Sequence, residues 1–341
     1  NPFESEAEIL ALPFYSPTDK NGKTKDFINA INGARNGFYH PDYIAKNYLN
    51  KGFVDDIMPI GYLTLEPIKN LTLKTQAGIQ YTISEGEIKG PMPSFINYKT
   101  GSQAVGRVER DMQKSIQKTY TNLLQYKFDL TQKHLFDVLL GQESIENTGY
   151  GFSASSQGQP SEALMMLAHG NQEKNVRDNK SVSTFNSFFS RLEYSYNNRY
   201  FLDLSARRDG SSAFIKNHRY QNFWAVGAMW KAKEEKFLQK VDWLTDLNFR
   251  FSTGIAGSAR IGDYRNMILA EADNSVAYNG QLSFRLAQVL GNPNLVWEEQ
   301  RKSTFGVNFV LAAGNTSFNI EYYDRHTYNT LSTRELNSIF G

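Results

Sequence analysis

The chain has 341 residues, and its 37 Lys and Arg against 35 Asp and Glu leave a net charge of +2, without the basic excess of a dedicated nucleic-acid binder. It has no cysteine, which excludes disulfide scaffolds, thiolate zinc sites, iron–sulfur clusters and cysteine nucleophiles. Aromatics reach 13% while mean hydropathy is −0.51, and the longest apolar run, Ala163 to Ala168, falls far short of the roughly 18–20 residues of a membrane helix.

Asn1-Pro2 and the loop-like stretch Asn337 to Gly341 are read as the ends of an internal piece of a longer protein. Period two dominates between them. Less tidy strands are expected near 56–65, 135–141 and 220–231. Over 71–83, Leu71, Leu73, Thr75, Ala77, Ile79, Tyr81 and Ile83 form one row, and Thr72, Lys74, Gln76, Gly78, Gln80 and Thr82 the other. Such alternation makes a strand with one apolar and one polar face. At ~3.3 Å per residue it is about 43 Å long, and tilted by ~40° it would cross a bilayer core. Ala77 is then expected near the middle of a lipid-facing row, with Gln76 on the other face.

The pattern recurs at Tyr120 to Leu130, Phe188 to Tyr196, Tyr200 to Ala206 (where Phe201 interrupts the polar row), Leu247 to Ile255, Phe305 to Leu311 and Phe318 to Tyr322. Tight polar turns are expected at Pro67–Asn70, Thr131–His134, Asn197–Arg199 and Ala312–Asn315. Long polar excursions are expected near 84–117, 142–183 and 257–303, with a shorter one near 209–219. In Ala232–Asp246, Phe237, Leu238, Val241 and Leu244 fall at helical spacing, which predicts a short amphipathic helix. Short turns at one end and long loops at the other describe an outer-membrane barrel. A soluble sandwich or solenoid also alternates. Strand length, Tyr and Phe near strand ends, and Lys, Asp, Arg and Glu on the polar rows favour the membrane.

Signals for chemistry are weak. His40, His134, His169, His218 and His326 make no i, i+4 pair, and His134 and His218 are read as solvated. Gly22-Lys23-Thr24 lacks the first glycine of a phosphate loop, and Gly149-Tyr150-Gly151 lacks a third glycine. Glu234-Glu235 and Glu298-Glu299 are read as solvated or loop carboxylates. Tyr98, Tyr150, Phe152, Tyr264 and Tyr278 are expected either to touch a ligand or to pin loops together. No catalytic, cofactor-binding or metal residue is assigned, and the substrate-binding residues stay unknown.

The segment Tyr200-Phe201-Leu202-Asp203-Leu204-Ser205-Ala206-Arg207-Arg208-Asp209-Gly210-Ser211-Ser212-Ala213-Phe214 resembles the signature of the SusC/RagA-like TonB-linked outer-membrane proteins of Bacteroidota. Further blocks follow in the family's order: Phe223 to Trp230, Glu234 to Leu238, Trp243 to Arg250, Ile261 to Tyr264, Leu290 to Glu298 and Glu321 to Arg325. Agreement is close from about 185 to 331 and looser before. Ala213 stands where the family often has Arg, so a loop-lip contact would be missing, and Asp263 stands where Asn is usual.

This resemblance implies an all-β fold, a transmembrane antiparallel β-barrel of 22 strands with a plugged lumen. Residues 1–341 would be a partial barrel domain of roughly half those strands, without plug domain, TonB box or terminal strands. It also implies an outer-membrane location and TonB-dependent uptake of a bulky nutrient, a glycan or oligopeptide, with a SusD-like surface lipoprotein. Membrane lipid or lipopolysaccharide would be a further partner. No catalytic step, cofactor or nucleic acid is implied. The competing reading is a surface adhesin or receptor barrel that binds host or matrix molecules without import.

Overall fold

The computed structural model describes residues 20–22, 27–28, 38–39, 48–90, 106–160, 162–262, 264–278, 281–286, 291–311 and 315–332. Lys23, Thr24, His40, Tyr98, Asp263 and most of the expected turn at 312–315 lie outside them. The strands are β1 (Phe27–Ile28), β2 (Phe38–Tyr39), β3 (Leu49–Ile57), β4 (Ile60–Ile68), β5 (Leu71–Gly90), β6 (Arg107–Thr131), β7 (His134–Gln157) and β8 (Gln172–Tyr196). They continue with β9 (Tyr200–Ser211), β10 (Tyr220–Lys231), β11 (Leu244–Ser258), β12 (Ala270–Tyr278), β13 (Gln281–Leu286), β14 (Glu298–Leu311) and β15 (Thr316–Tyr328). Eleven of them form one sheet in the order β15-β14-β11-β10-β9-β8-β7-β6-β5-β3, with β4 also on β5, and every register given for it is antiparallel. Among the described residues no helix is long and apolar enough to cross a membrane.

β3 and β4 act as one interrupted edge strand. Ile57 faces Tyr81 and Ile60 faces Gly78 in unchanged register. The break falls at Met58-Pro59, where proline has no N–H to give the ladder, and Ile79 N–H instead donates to the Pro59 carbonyl at 3.1 Å. The expected tight turns are present at Lys69–Asn70, Gln132–Lys133 and Asn197–Arg199. Asn70, Asn197 and Asn198 have φ of 68°, 49° and 54°. Asparagine tolerates that left-handed region better than other residues with a Cβ.

Several expectations are corrected. The 84–117 and 142–183 excursions are largely strand: β5 runs to Gly90, β6 starts at Arg107, β7 runs to Gln157 and β8 starts at Gln172. The 257–303 stretch contains the β12–β13 hairpin. No amphipathic helix forms over 232–246. A 3-10 turn spans Ala232–Glu234, and i to i+3 bonds such as Val241 N to Leu238 O and Leu244 N to Val241 O carry the chain into β11. The Lys233 ammonium ties the carbonyls of Leu238 (3.0 Å) and Val241 (2.8 Å), while Phe237 is 70% exposed, so helical spacing here does not mark a buried face.

The chain divides into two compact units. One comprises Asn1–Met58, Gln80–Ile116 and Thr148–Ser181. Its strand ends carry the ion pairs of Glu87 with Arg110 (2.6 Å) and Lys89 (3.1 Å). Ser156 near the end of β7 and Gln159 in the connection after it are buried, and the Ser156 hydroxyl donates to Leu167 O at 2.8 Å.

The other unit comprises Pro59–Ile79, Gln117–Asn147 and Val182–Gly341. The registers sort its side chains into two faces. Leu192, Leu204 and Val226 lie level with one another on one face, as do Phe251, Phe305 and Tyr322. Near the tight turns this apolar face bears stacked rings: Phe128 on Phe136 (5.0 Å), Trp230 on Phe249 (5.5 Å) and Phe309 on Phe318 (4.9 Å). Further along the strands it ends in a hydrogen-bonded row. The Thr75 hydroxyl donates to Asn122 Oδ1 (2.8 Å), Asn122 Nδ2 to Gln142 Oε1 (2.9 Å) and Gln142 Nε2 to Asn186 Oδ1 (3.4 Å). Ala77 and Gln76 do lie on opposite faces, opposite Gly61 and Tyr62. Ala77 is not at the centre of the apolar band, however, because Thr75 before it already belongs to this polar row.

Candidate functional site

The opposite face of the second unit collects the charges that the alternating pattern left over. Arg191 is held by Glu193 (2.6 Å) and Asp203 (2.6 Å), Lys127 by Asp137 (3.4 Å), and Arg250 by Glu321 (3.3 Å) and Asn319 (2.8 Å). These groups edge a trough of about 670 Å³ whose walls also include Asp129, Phe201, Gly227 and Gly306. Gly227 and Gly306 put no side chain on this face, which leaves room for the trough. Asp129, Asp137, Glu193, Asp203 and Glu321 outnumber Lys127, Arg191 and Arg250. The trough is thus a carboxylate-rich, hydrogen-bonding wall, able to take amides, hydroxyls and cationic groups. Among the described residues no group of three or more His, Asp or Glu is placed to hold a metal ion.

Toward the long-loop end, residues far apart in sequence converge. Phe214 is fully buried and stacks on Trp297 at 5.1 Å, while Phe223 and Phe185 meet Trp297 edge-on at 5.6 and 5.9 Å. The Trp297 indole N–H donates to the His218 carbonyl at 3.2 Å. A cavity of about 360 Å³ lies beside the cluster, lined in part by Thr184, Ser211, Arg260 and Trp297. Ala213 is 8% exposed inside the cluster, so that position packs inward here and forms no loop lip. Of the two arginines before Asp209, Arg207 turns to the charged face, bonding Asp209 (2.5 Å) and the Ser187 hydroxyl (2.9 Å). Arg208 lies over the Tyr220 ring at 5.3 Å.

The residues singled out from sequence fare differently. Tyr264 ties its loop to β8 rather than to another loop, its hydroxyl accepting from Val182 N–H at 3.2 Å. Tyr150 lies on β7 beneath the Lys180 ammonium (5.3 Å), Phe152 is exposed on the same strand, and Tyr278 ends β12. His134 is not freely solvated. It is half-buried, bonds the Tyr194 hydroxyl at 2.8 Å and packs on Tyr196 at 4.7 Å. His218 is also half-buried. Glu235 is likewise no solvated carboxylate. Tyr200 donates to it at 2.5 Å, Arg199 at 3.2 Å and Trp230 at 3.4 Å. The Tyr200 hydroxyl foremost, with Trp230 and Arg199, holds the Glu235 carboxyl below the usual range. Glu298 accepts from Leu331 N–H, and Glu299 accepts from Gln221. The Phe214–Trp297 stack was not foreseen from spacing, though both residues lie in the blocks that carried the resemblance.

A long antiparallel wall, apolar and ringed with aromatics on one face and charged on the other, is a section of an outer-membrane β-barrel. The chain belongs to the family described as TonB dependent receptor-like, beta-barrel, whose profile matches residues 10–341. Within it the chain is SusC/RagA-like, an outer-membrane protein type of Bacteroidota. It is 32% identical over 205 residues to the TonB-dependent receptor SusC of Bacteroides thetaiotaomicron, covering 58% of this chain and 20% of that protein. To TonB-dependent receptor P39 of Formosa agariphila it is 27% identical over 273 residues, covering 79% of this chain and 26% of the relative. The solved structure of the RagAB peptide transporter matches with a TM-score of 0.86 at 30% identity, over 98% of this chain and 37% of that one. The chain therefore spans little more than a third, or less, of the length of these three relatives.

Proposed function

We propose that this chain is one section of the barrel domain of a larger transporter that imports a bulky nutrient by TonB-driven uptake, with a SusD-like lipoprotein at its outer mouth. Support comes from the family membership and from the likeness to SusC and the RagAB transporter. Both sheet edges, β3–β4 and β15, expose apolar side chains such as Ile57, Tyr62, Ile320 and Tyr322. In a bilayer, unpaired edges would leave backbone groups unsatisfied, so further strands must flank them.

Between the two cargo classes we favour an oligopeptide. The observation that carries this is the carboxylate-rich trough with its interspersed Arg191 and Arg250, since a peptide offers amides, a terminal ammonium and cationic side chains to match. The test is uptake of fluorescent oligopeptides and of oligosaccharides by cells with and without the full-length gene, and with TonB deleted. Peptide uptake lost in both deletions supports the reading. Loss of oligosaccharide uptake alone would transfer it to glycans, and unchanged uptake of both would favour the adhesin.

A further inference from the structure

On the strand ends of the first unit, two ammonium groups rest on tyrosine rings. Lys114 Nζ lies 5.0 Å from the Tyr81 centroid and Lys180 Nζ 5.3 Å from that of Tyr150. A Cβ on Gly149 would meet Ser181 and one on Gly151 would meet Asn179, so Tyr150 and Lys180 are opposite one another. The Lys118–Glu146 pair (2.9 Å) sets the register of β6 on β7, and four residues further along each strand that register brings Lys114 beside Tyr150. Tyr81, Lys114, Tyr150 and Lys180 therefore form one row across four neighbouring strands, alternating ring and cation. By strand parity Lys114 lies on the same side of β6 as Asn122 and Leu124. Among the described residues neither ammonium has a carboxylate partner, whereas Lys118, Arg110 and Lys89 on the same strands each have one. Tyr150 is 40% exposed between the two lysines.

We propose that this row docks a phosphate-bearing sugar of an outer-leaflet glycolipid. Lys114 and Lys180 supply two un-neutralised charges for a phosphate monoester, and the Tyr150 ring between them offers an apolar face to the sugar. Depth agrees with a sugar rather than an acyl chain. Lys114 is eight residues beyond Asn122 on β6, about 26 Å along the strand at ~3.3 Å per residue, past the end of the apolar band. An outward face at that height meets the glycan layer of the leaflet.

The test uses the full-length protein in detergent and purified lipooligosaccharide, with bound glycolipid counted by native mass spectrometry. Wild type and the control Lys118→Gln should retain one glycolipid that the double variant Lys114→Gln/Lys180→Gln binds roughly tenfold or more weakly, as loss of two charge-assisted contacts predicts. The Lys114→Arg/Lys180→Arg variant, which keeps both charges, should retain it. Phosphatase-treated lipooligosaccharide should bind wild type as weakly as the double variant binds the native form. Equal binding of the dephosphorylated glycolipid to wild type, or unchanged binding by the glutamine variant, would overturn the proposal. If the glutamine variant does not assemble, the phosphatase comparison decides alone.

Discussion

Phe305 offers the sharpest test of which face of the wall meets hydrocarbon. It is 48% exposed and lies opposite Phe251 on one side and Tyr322 on the other. Its row on β14 reads Phe309, Val307, Phe305, Ser303 and Arg301, so it is midway between a stacked ring at one end and a cation at the other. That row covers eight steps, about 26 Å along the strand and ~20 Å along the normal for a tilt of ~40°. Phe305 is then about 10 Å from either interface, where an arginine costs about 2–4 kcal/mol. At ~1.4 kcal/mol per factor of ten, Phe305→Arg should lower the folding equilibrium roughly 30- to 700-fold. Its neighbour Thr304 points to the trough face, opposite Ser252 and Tyr323. There a charge stays in water, and Thr304→Arg should leave assembly close to wild type. The assay is urea titration of the full-length barrel in vesicles, with folded fraction read as the gel-mobility shift of unboiled samples. Equal losses for the two variants, or a larger loss for Thr304→Arg, would refute the assignment of faces.

Phe214→Ala should cost about 3–5 kcal/mol locally, as for other fully buried aromatics, by emptying the site against Trp297; tryptophan fluorescence should shift red while barrel assembly survives. Gly257→Val should expel the Phe223 ring from the same cluster, because a Cβ there meets that ring directly, and the two variants should fail to add in a double-mutant cycle. The Glu235 carboxyl is held low by Tyr200, so its contribution is complete above the ordinary glutamate value of 4.5 and is lost as pH falls through the lower folded value. Amide exchange over 232–244 should accelerate only in that acid window, and Glu235→Gln should abolish the step. Protease added to whole cells should cut within 158–171 rather than in 142–157, since the chain is strand up to Gln157.

How far the fold was legible depends on what each strand faces. Over 71–83 the two faces differ in polarity, and period two was plain. Beyond that, β6, β7 and β8 carry Lys118, Glu146, Tyr150 and Lys180 where apolar residues would be needed for contrast. Both faces are then wet, the hydrophobic contrast disappears, and strand reads as loop. The segment after β10 failed for the converse reason: Phe237, Leu238 and Val241 carry a helical period without a surface to bury it, and lysine-held turns prevail. The charged wall could be read from the alternating rows, but its pairings could not. Arg250 meets Glu321 across 71 positions of sequence, and Trp297 meets Phe214 across a similar gap. Such partners follow from strand order, which no local pattern carries.

The side-to-side bonding from Thr75 through Asn122 and Gln142 to Asn186 also makes the wall a gauge of bilayer thickness. Those amides satisfy one another across the strands, so they tolerate the edge of the hydrocarbon better than isolated polar groups would. The tolerance ends abruptly. On β6 and β7 the next charged pair is Lys118 with Glu146, four residues past Asn122 and Gln142. Four residues are about 13 Å of strand, or ~10 Å of depth at the usual tilt. A leaflet thicker by more than that would immerse an ion pair, while a thinner one would bare Leu124 and Leu140 to water. Transfer of the protein between membranes of different thickness is therefore resisted in both directions, and most steeply toward the thicker one.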